Sequence, residues 1–332
     1  MIWRVFDFPR YTLTFYPTPL EKASRLSKEL NIELYIKRDD VMTLALGGNK
    51  VRKLEFILGD ALSKNCNVLI TRGALHSNHA RLTAAAARKA GLDVYLVLTP
   101  PGSHELQGNL LLDKLMDAKI VFVNDQDKAD DVMEEIARDL RSKGKRPYII
   151  PGGGASAYGV LGYIVASLEI LQQFYNLKKK PKYIVHATGT GATQAGLILG
   201  MKLLGIDDIK IIGISVGRKA RECKERITKL INITTKLLDI DLKIKPGDII
   251  VFDDYIFGGY GIIVEEIVEI IKYVAKVEGL ILDPIYTGKA MYGLIDLVNN
   301  NYIEKESIVL FIHTGGTPIP FQYSTIIKKY LQ

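Results

Sequence analysis

Apolar positions along this chain follow two alternating rhythms. Short, nearly continuous apolar runs appear at "ELYIK" (33–37), "VLIT" (68–71), "VYLVL" (94–98) and "KIVFV" (119–123). They return at "YII" (148–150), "YIVHA" (183–187), "KIIGISV" (210–216) and "IVLFIH" (308–313). Runs this short and this rich in β-branched residues predict strands buried on both faces. Longer stretches of helical period lie between them, among them "VRKLEFILGDALSK", "SNHARLTAAAARKAG" and "LGYIVASLEILQQFYNL". Strand then helix, repeated, predicts an α/β fold of two lobes with open, parallel-rich sheets covered on both sides. The 332 residues suffice for two domains. No internal repeat or low-complexity linker interrupts them, and the Gly-rich "PGGGASAYG" (151–159) is the expected hinge.

Composition narrows the class without naming a function. The chain is 48% hydrophobic and 24% charged, an ordinary globular balance. Its two cysteines, Cys66 and Cys223, are far apart and form no CxxC, which argues against a disulfide framework or a thiolate zinc site. A reducing, cytoplasmic setting is the simpler expectation. Charges interrupt "MIWRVFDFPRY" where a signal peptide would be apolar, and no apolar run approaches the ~20 residues that span a bilayer. The net charge of +7 admits a nucleic-acid binder, but the basic residues are dispersed. The one dense run, "KKKPK" (178–182), follows a helical stretch and reads as a solvated helix end. Neither nucleic acid nor membrane is an expected partner. The histidines His76, His79, His104, His186 and His313 show no metal-ligand spacing, so no metal is expected.

Candidate chemistry sits in a few turns. In "LALGGNKVRKLE" (44–55), Lys50 stands at the tip of a glycine turn, with Arg52 and Lys53 behind it at the start of a basic, amphipathic helix. Neighbouring cations and a dry site lower an ammonium's pKa from about 10.4, the usual route to a base lysine. In "HATGTGATQAG" (186–196) a strand runs through a Gly/Thr turn into a helix. Backbone N–H groups, the helix dipole and the hydroxyls of Thr188, Thr190 and Thr193 then converge on one anion. The spacing is wrong for a dinucleotide fingerprint, with Gln194 where the third glycine belongs, and no lysine follows as in a P-loop. A compact phosphate monoester fits. "ALHSNHARLTAAAA" places Ser77 before an Ala-rich helix. Ser77 reads equally as an N-cap and, with Asn78 and His79, as a carboxylate site. "FGGYG" around Tyr260, "LDPIYTGKAMYGL" with Tyr286 and Thr287, and "IHTGGT" with Thr314 are turns of the kind that carry α/β sites.

A reactive lysine, a phosphate cup, a carboxylate cup and tyrosines together suit pyridoxal phosphate. The chain resembles the fold-type II pyridoxal-phosphate enzymes, of the tryptophan synthase β-like fold. Within them it is similar to the D-cysteine desulfhydrase and 1-aminocyclopropane-1-carboxylate (ACC) deaminase branch. The likeness runs from "YPTPLEKASRL" and "YIKRDD" through "GGNKVRKLE" and "SNH" to "DPIYTGKAMYGL" and "HTGG". The resemblance implies that Lys50 carries the cofactor as an imine, and that Lys53 reaches its phosphate with Gly189, Thr190, Gly191, Ala192 and Thr193. It implies that Asn78 hydrogen-bonds the ring oxygen, while Ser77, Asn78, His79 and Thr314 meet the substrate. Ser77 then lies near the proton transfer, and Tyr260 and Tyr286 line the substrate side. It also implies a large domain of residues 1–50 and 159–332, a small inserted domain of 51–158, and a homodimer.

Three positions separate the two activities. ACC deaminases resemble this chain but carry Glu at the position of Thr287, Leu at that of Thr314 and Gln at that of His79. A carboxylate keeps a pyridine nitrogen protonated and makes a strong electron sink, whereas a threonine hydroxyl only hydrogen-bonds to it. Opening a cyclopropane asks more of that sink than expelling a β-thiolate. The expected reaction is therefore β-elimination of D-cysteine to pyruvate, ammonia and hydrogen sulfide. Deamination of ACC to 2-oxobutyrate is the alternative, serine dehydration comes third, and a cofactor- or nucleic-acid-binding protein without turnover is the non-enzymatic one.

Overall fold

The computed structural model describes residues 1–99 and 105–331. Among these residues ten strands form in order: β1 (Leu20–Lys22), β2 (Glu33–Arg38), β3 (Val68–Ala74), β4 (Asp93–Thr99), β5 (Lys119–Phe122), β6 (Pro147–Ile150), β7 (Tyr183–Thr188), β8 (Lys210–Ser215), β9 (Ile250–Phe252) and β10 (Ile308–His313). They make a six-stranded sheet, order β1-β2-β10-β7-β8-β9, and a four-stranded sheet, order β5-β4-β3-β6. Each of these pairings is parallel except β1 with β2. The chain is thus α/β with two parallel-rich sheets. All six residues of β7 are buried, as its continuous apolar run requires.

Each sheet is covered on both faces. Helices Ala157–Asn176, Ala192–Leu203 and Ala220–Leu237 bury one side of the large sheet around Tyr163, Leu197 and Ile227. Helices Ser24–Leu30, Glu265–Glu278 and Thr287–Asn299 cover the other around Leu26, Val274 and Leu294. Helices Lys50–Ser63 and Asn78–Lys89 cover one face of the small sheet, and Ala129–Ser142 the other. "PGGG" forms a tight turn at Gly152–Gly154, with φ of 70° at Gly153 and 65° at Gly154. Three of the four lysines of "KKKPK" are matched by acids: Lys179 with Glu33, Lys180 with Asp208 and Lys182 with Glu304. Among the described residues, no helix is long and apolar enough to cross a membrane.

Strand order places the functional loops. In the large sheet the order reverses between β7 and β10, and in the small sheet between β3 and β6. Ligands of open α/β sheets bind in the crevice beyond the strands' carboxyl ends at such a reversal. The loops that leave those four strands carry Gly189–Ala192, Thr314–Gly316, Leu75–Asn78 and Gly152–Gly154.

The helix Lys50–Ser63 departs from the expected amphipathic form. Its residues Val51 through Ala61 are all buried, because it packs on Ala157–Asn176 as well as on Asn78–Lys89. Gly162 permits the first crossing, since a Cβ there would lie 2.2 Å from the Arg52 carbonyl oxygen. Buried charges on such a helix need partners. Arg52 donates bidentately to Asp39 (2.9 and 2.8 Å) and to both oxygens of Glu169 (2.8 and 2.9 Å). Lys37 meets Glu169 at 2.5 Å, and Tyr163 donates to Asp39 at 2.6 Å. Glu55 is paired with Arg10, and Asp60 accepts from Lys64 and Tyr148.

Removing one member of a buried ion cluster strands the others, so Arg52→Met should destabilise the protein by about 3–5 kcal/mol, measured by denaturant unfolding. Burial alone would raise the Glu169 carboxyl, but hydrogen bonds and charge from Arg52, then Lys37, overturn this and bring it from 4.5 to about 2. Its folded pKa lies below its unfolded one, so its contribution is whole above about pH 4.5 and is lost as the pH falls toward about 2. An acid titration of unfolding free energy should show that loss in wild type and a smaller one in the Arg52 variant.

Candidate active site

Lys50 is the first residue of its helix, and the backbone before it is pinned from three sides. Gly48 N–H donates to the Asp39 carbonyl (2.9 Å), Asn49 N–H to the Thr314 carbonyl (3.0 Å), and Asn49 Nδ2 to Thr193 Oγ1 (3.0 Å). The two glycines serve this approach. Gly47 and Gly48 have φ of 63° and 124°, and a Cβ on Gly47 would meet the Asp40 carbonyl oxygen at 2.2 Å. Within the chain, then, the glycine turn passes close to neighbouring backbone.

Lys50 and Lys53 lie close enough to act on each other electrostatically, and neither has an acid partner among the described residues. Burial lowers Lys50 from 10.5 to about 8. Burial, and then the charge of Lys50, lowers Lys53 well below its usual range. The expectation that Arg52 also acts on Lys50 is corrected: its guanidinium turns into the Asp39–Glu169 cluster and is neutralised there. Desolvation is the main cause at Lys50.

Around this pair lie polar groups that the described residues leave without partners: His79 Nδ1, His186 Nε2 and Thr188 Oγ1. The turn of Gly189, Thr190 and Gly191 leads into the helix that begins with Ala192 and Thr193, and Gly191 has φ of 90°. The first N–H groups of that helix have no intrahelical acceptor. The β6 turn faces this loop: a Cβ on Gly153 would stand 2.6 Å from Thr190 Cγ2, and one on Gly154 3.6 Å from Lys53 Cβ. Two lysine amines without an acid, Lys53 buried and Lys50 partly so, beside the free N–H groups of that helix head and side-chain-free glycines, fit a small phosphate ester.

Ser77 caps its helix, its Oγ accepting from Ala80 N–H at 3.1 Å, which leaves the hydroxyl proton free to be donated. Asn78 Oδ1 accepts from Asn109 Nδ2 (3.0 Å) and Arg81 Nη2 (3.5 Å), so the Asn78 amino group is the end left to donate. The His79 side chain goes elsewhere than expected. It meets Thr71 Oγ1 at 2.9 Å, and that hydroxyl already donates to the Ile150 carbonyl, so His79 donates from Nε2 and keeps a lone pair on Nδ1. Burial, then Lys50 and Lys53, pushes its pKa well down. A neutral ring presenting a lone pair is no anchor for a carboxylate, so only the His79 backbone N–H remains for that task. His104 lies outside the described residues.

Across the crevice the Tyr260 and Tyr286 hydroxyls are hydrogen-bonded to each other, their ring centroids 5.9 Å apart. Burial raises Tyr286 well above its usual range, and raises Tyr260 to about 12 although its residue surface is 41% exposed. Both are therefore proton donors near neutral pH. Thr287 is fully buried, donates to Asp283 Oδ2 (2.7 Å) and accepts from Asp283 N–H (2.7 Å). Thr314 is buried, and its hydroxyl makes no hydrogen bond among the described residues. Sequence reasoning missed Asn49, Asn109, Asp283 and the His76–Tyr323 contact, in which Tyr323 OH meets His76 Nδ1 at 2.6 Å beside the Tyr260 ring.

The model of one family, described as "Pyridoxal-phosphate dependent enzyme", matches residues 11–315. The chain belongs to that family. Its cofactor is pyridoxal phosphate, and the unpaired Lys50 and Lys53 with the free N–H groups at the head of the helix Ala192–Leu203 suit that group. A Pyrococcus abyssi protein named "Putative 1-aminocyclopropane-1-carboxylate deaminase" is 46% identical over 98% of this chain and 96% of its own. The D-cysteine desulfhydrase of Salmonella choleraesuis is 41% identical over 95% and 96%. A crystal structure described as an ACC deaminase homologue superposes with a TM-score of 0.92 at 44% identity, covering 99% of this chain and 98% of that one. The processed form of threonine deaminase isoform 2 from Solanum lycopersicum, at 18% identity and a TM-score of 0.69 over 99% of this chain and 86% of that one, shares the fold. Within the family, this chain falls in the ACC deaminase/D-cysteine desulfhydrase group.

Two variants separate the roles of the paired lysines in this pyridoxal-phosphate enzyme. Lys50→Ala should abolish both turnover and the near-visible absorption of bound cofactor while leaving the fold intact by circular dichroism. Lys53→Ala should keep that absorption but weaken cofactor binding about ten- to a hundredfold, the span of one charge-assisted hydrogen bond, measured by titrating apoprotein with cofactor.

Proposed function

We propose that this enzyme catalyses β-elimination on D-cysteine, with the balance D-cysteine plus water giving pyruvate, ammonia and hydrogen sulfide. The observation that carries this reading is the group at position 287. It is a hydroxyl whose proton is already donated to Asp283, so it offers a neighbour a lone pair and no formal charge. A neutral partner to a ring nitrogen supports a weaker electron sink than a carboxylate, and loss of a β-thiolate demands less of the sink than ring opening. Thr314 supports the same reading, because its unpartnered hydroxyl stands where the deaminase pattern has an aliphatic side chain.

Bound pyridoxal phosphate supplies the carbonyl carbon for amines and the sink for the electron pair left at Cα. Lys50, Lys53, Asn78, Thr287 and Gly189–Thr193 would hold it. The chain's own groups do the rest. The N–H groups at the head of the helix Asn78–Lys89, with Ser77, receive the substrate carboxylate. Lys50, lowered by burial to about 8, gives up its proton more readily than an exposed lysine and is the base for the Cα proton. Ser77 retains a proton to donate and already uses one lone pair on Ala80, which suits it to hold the carboxylate and leaves the base role to Lys50. The Tyr260–Tyr286 pair, both protonated, gives a proton to the departing thiolate. Residues 51–158 form the lobe that closes over the substrate, and the working unit is a homodimer, the common form of soluble oligomers.

The second reading is ACC deaminase, favoured by the 46% identity to a relative of that name. Purified holoenzyme incubated separately with D-cysteine, L-cysteine and ACC decides between them. Rapid pyruvate and sulfide from D-cysteine is the expected result, and faster formation of 2-oxobutyrate from ACC would overturn it.

A further inference from the structure

The motif "DPIYTGKAMYGL" contributes Tyr286 and Thr287 to the site, but the site makes no use of its lysine. Lys289 is fully buried, on the first turn of the helix Thr287–Asn299, and forms no ion pair among the described residues. Its Nζ lies 2.8 Å from the Ile256 carbonyl, 2.8 Å from the Gly259 carbonyl and 3.3 Å from the Val216 carbonyl. An ammonium has three hydrogens, and three backbone oxygens receive them.

Two of those oxygens belong to the loop that carries Tyr260, and that loop has few backbone hydrogen bonds of its own, although its Phe257 ring packs on Tyr292. Phe257, Gly258, Gly259 and Gly261 have φ of 47°, 82°, 140° and 84°, a path no strand or helix follows. Among the described residues, Gly259 N–H to the Ile256 carbonyl (3.0 Å) is the one backbone hydrogen bond that starts within 256–263. The third oxygen, on Val216, belongs to the residue that follows β8, a segment against which the loop is pressed. A Cβ on the next residue, Gly217, would lie 2.7 Å from Tyr260 N. Lys289 is therefore joined to the Tyr286–Thr287 turn by covalent bonds and to the Tyr260 loop and the segment after β8 by hydrogen bonds.

We propose that Lys289 is a positioning residue: its ammonium is an internal cation that fixes the Tyr260 loop against the Tyr286 turn and so sets the Tyr260–Tyr286 hydroxyl pair. The proposal rests on the reading that Tyr260 faces the substrate. Because Lys289 acts through Tyr260, its loss matters only while the tyrosine hydroxyl is present.

The test is a double-mutant cycle on holoenzyme, assayed with whichever of D-cysteine and ACC it turns over. Lys289→Met should retain the bound-cofactor absorption and lower kcat/KM about tenfold or more. Tyr260→Phe should lower it as well, and the double variant should be no worse than Tyr260→Phe alone. Chymotrypsin should cut at Phe257 or Tyr260 faster in Lys289→Met than in wild type, read by mass spectrometry. Lys289→Gln, which keeps two donors, is read the same way if the methionine variant does not fold. Additive losses, an unchanged kcat/KM or unchanged cleavage would overturn the inference. A silent Tyr260→Phe would overturn the reading of Tyr260, and a Lys289 effect that persisted beside it would overturn the positioning role too. If neither substrate is turned over, the cleavage rate alone decides.

Discussion

Two lysine amines held near one another without an acid set the terms for this structure. Burying an unpaired charge is expensive, and the surrounding chain shows the rule being obeyed. On the same helix Arg52, Glu55 and Asp60 each have a partner of opposite sign. Lys50 and Lys53 are the exceptions, without such a partner among the described residues, and the charge of Lys50 disfavours a charge on Lys53. Such a pair favours loss of a proton, which makes an amine nucleophilic, and it favours any anion that enters. A phosphate ester bearing a carbonyl answers both demands: one amine takes the carbon, and the other pairs with the charge. Its binding free energy then adds to the stability of the folded state by mass action. The Arg52 cluster makes this arrangement workable, because it locks the helix in place without adding a third free cation beside the pair.

The same economy governs where the loops fall. A parallel sheet offers a crevice only where strand order reverses, and each of the two sheets has one reversal. The β7 and β10 loops come from one sheet, and the β3 and β6 loops from the other. Asn49 ties the lysine turn to both large-sheet loops at once, through the Thr314 carbonyl and Thr193 Oγ1. Lys50 is therefore positioned by the reversal in the large sheet, and the helix head at Asn78 by the small one. A movement of one sheet relative to the other would change the distance between the amine and that helix head without disturbing either half.

What the sequence revealed follows from range. Seven of the eight apolar strands were legible because a buried parallel strand leaves a nearly unbroken apolar run; β5 was found from its run as well, but none of its residues is buried, against the expectation, because it lies at the edge of its sheet. β1 and β9 were not legible, being three-residue edge strands too short to show a period. Lys50 and Ser77 were legible because a glycine turn and a helix cap are local signals. The helix after Lys50 was read as amphipathic, since its charged residues are spaced as on a wet face. Its partners Asp39 and Glu169 lie on other elements, and only the fold shows the charges to be inside. Asn109 orients Asn78 from 31 residues away, and Tyr323 reaches His76 from 247 away, so no local pattern marks either. The His79 side chain was misplaced for the same reason, because its partner Thr71 sits on a strand whose inward face cannot be told from the outward one by composition alone.

The turn from Asp283 to Lys289 concentrates several of these constraints in seven residues. The Asp283 carboxylate accepts the N–H groups of Ile285, Tyr286 and Thr287 and the Thr287 hydroxyl, so it folds the turn that presents Tyr286. Burial raises its carboxyl, and the Thr287 groups and those N–H groups oppose the rise, with the carboxyl one hydrogen bond from the Thr287 oxygen. That oxygen is consequently a better acceptor than an isolated alcohol, though it carries no charge of its own. A ring nitrogen meeting it would feel an intermediate environment, more basic than beside a free hydroxyl and less than beside a carboxylate. Replacing Thr287 by Glu would put a second carboxylate against Asp283 in a dry turn.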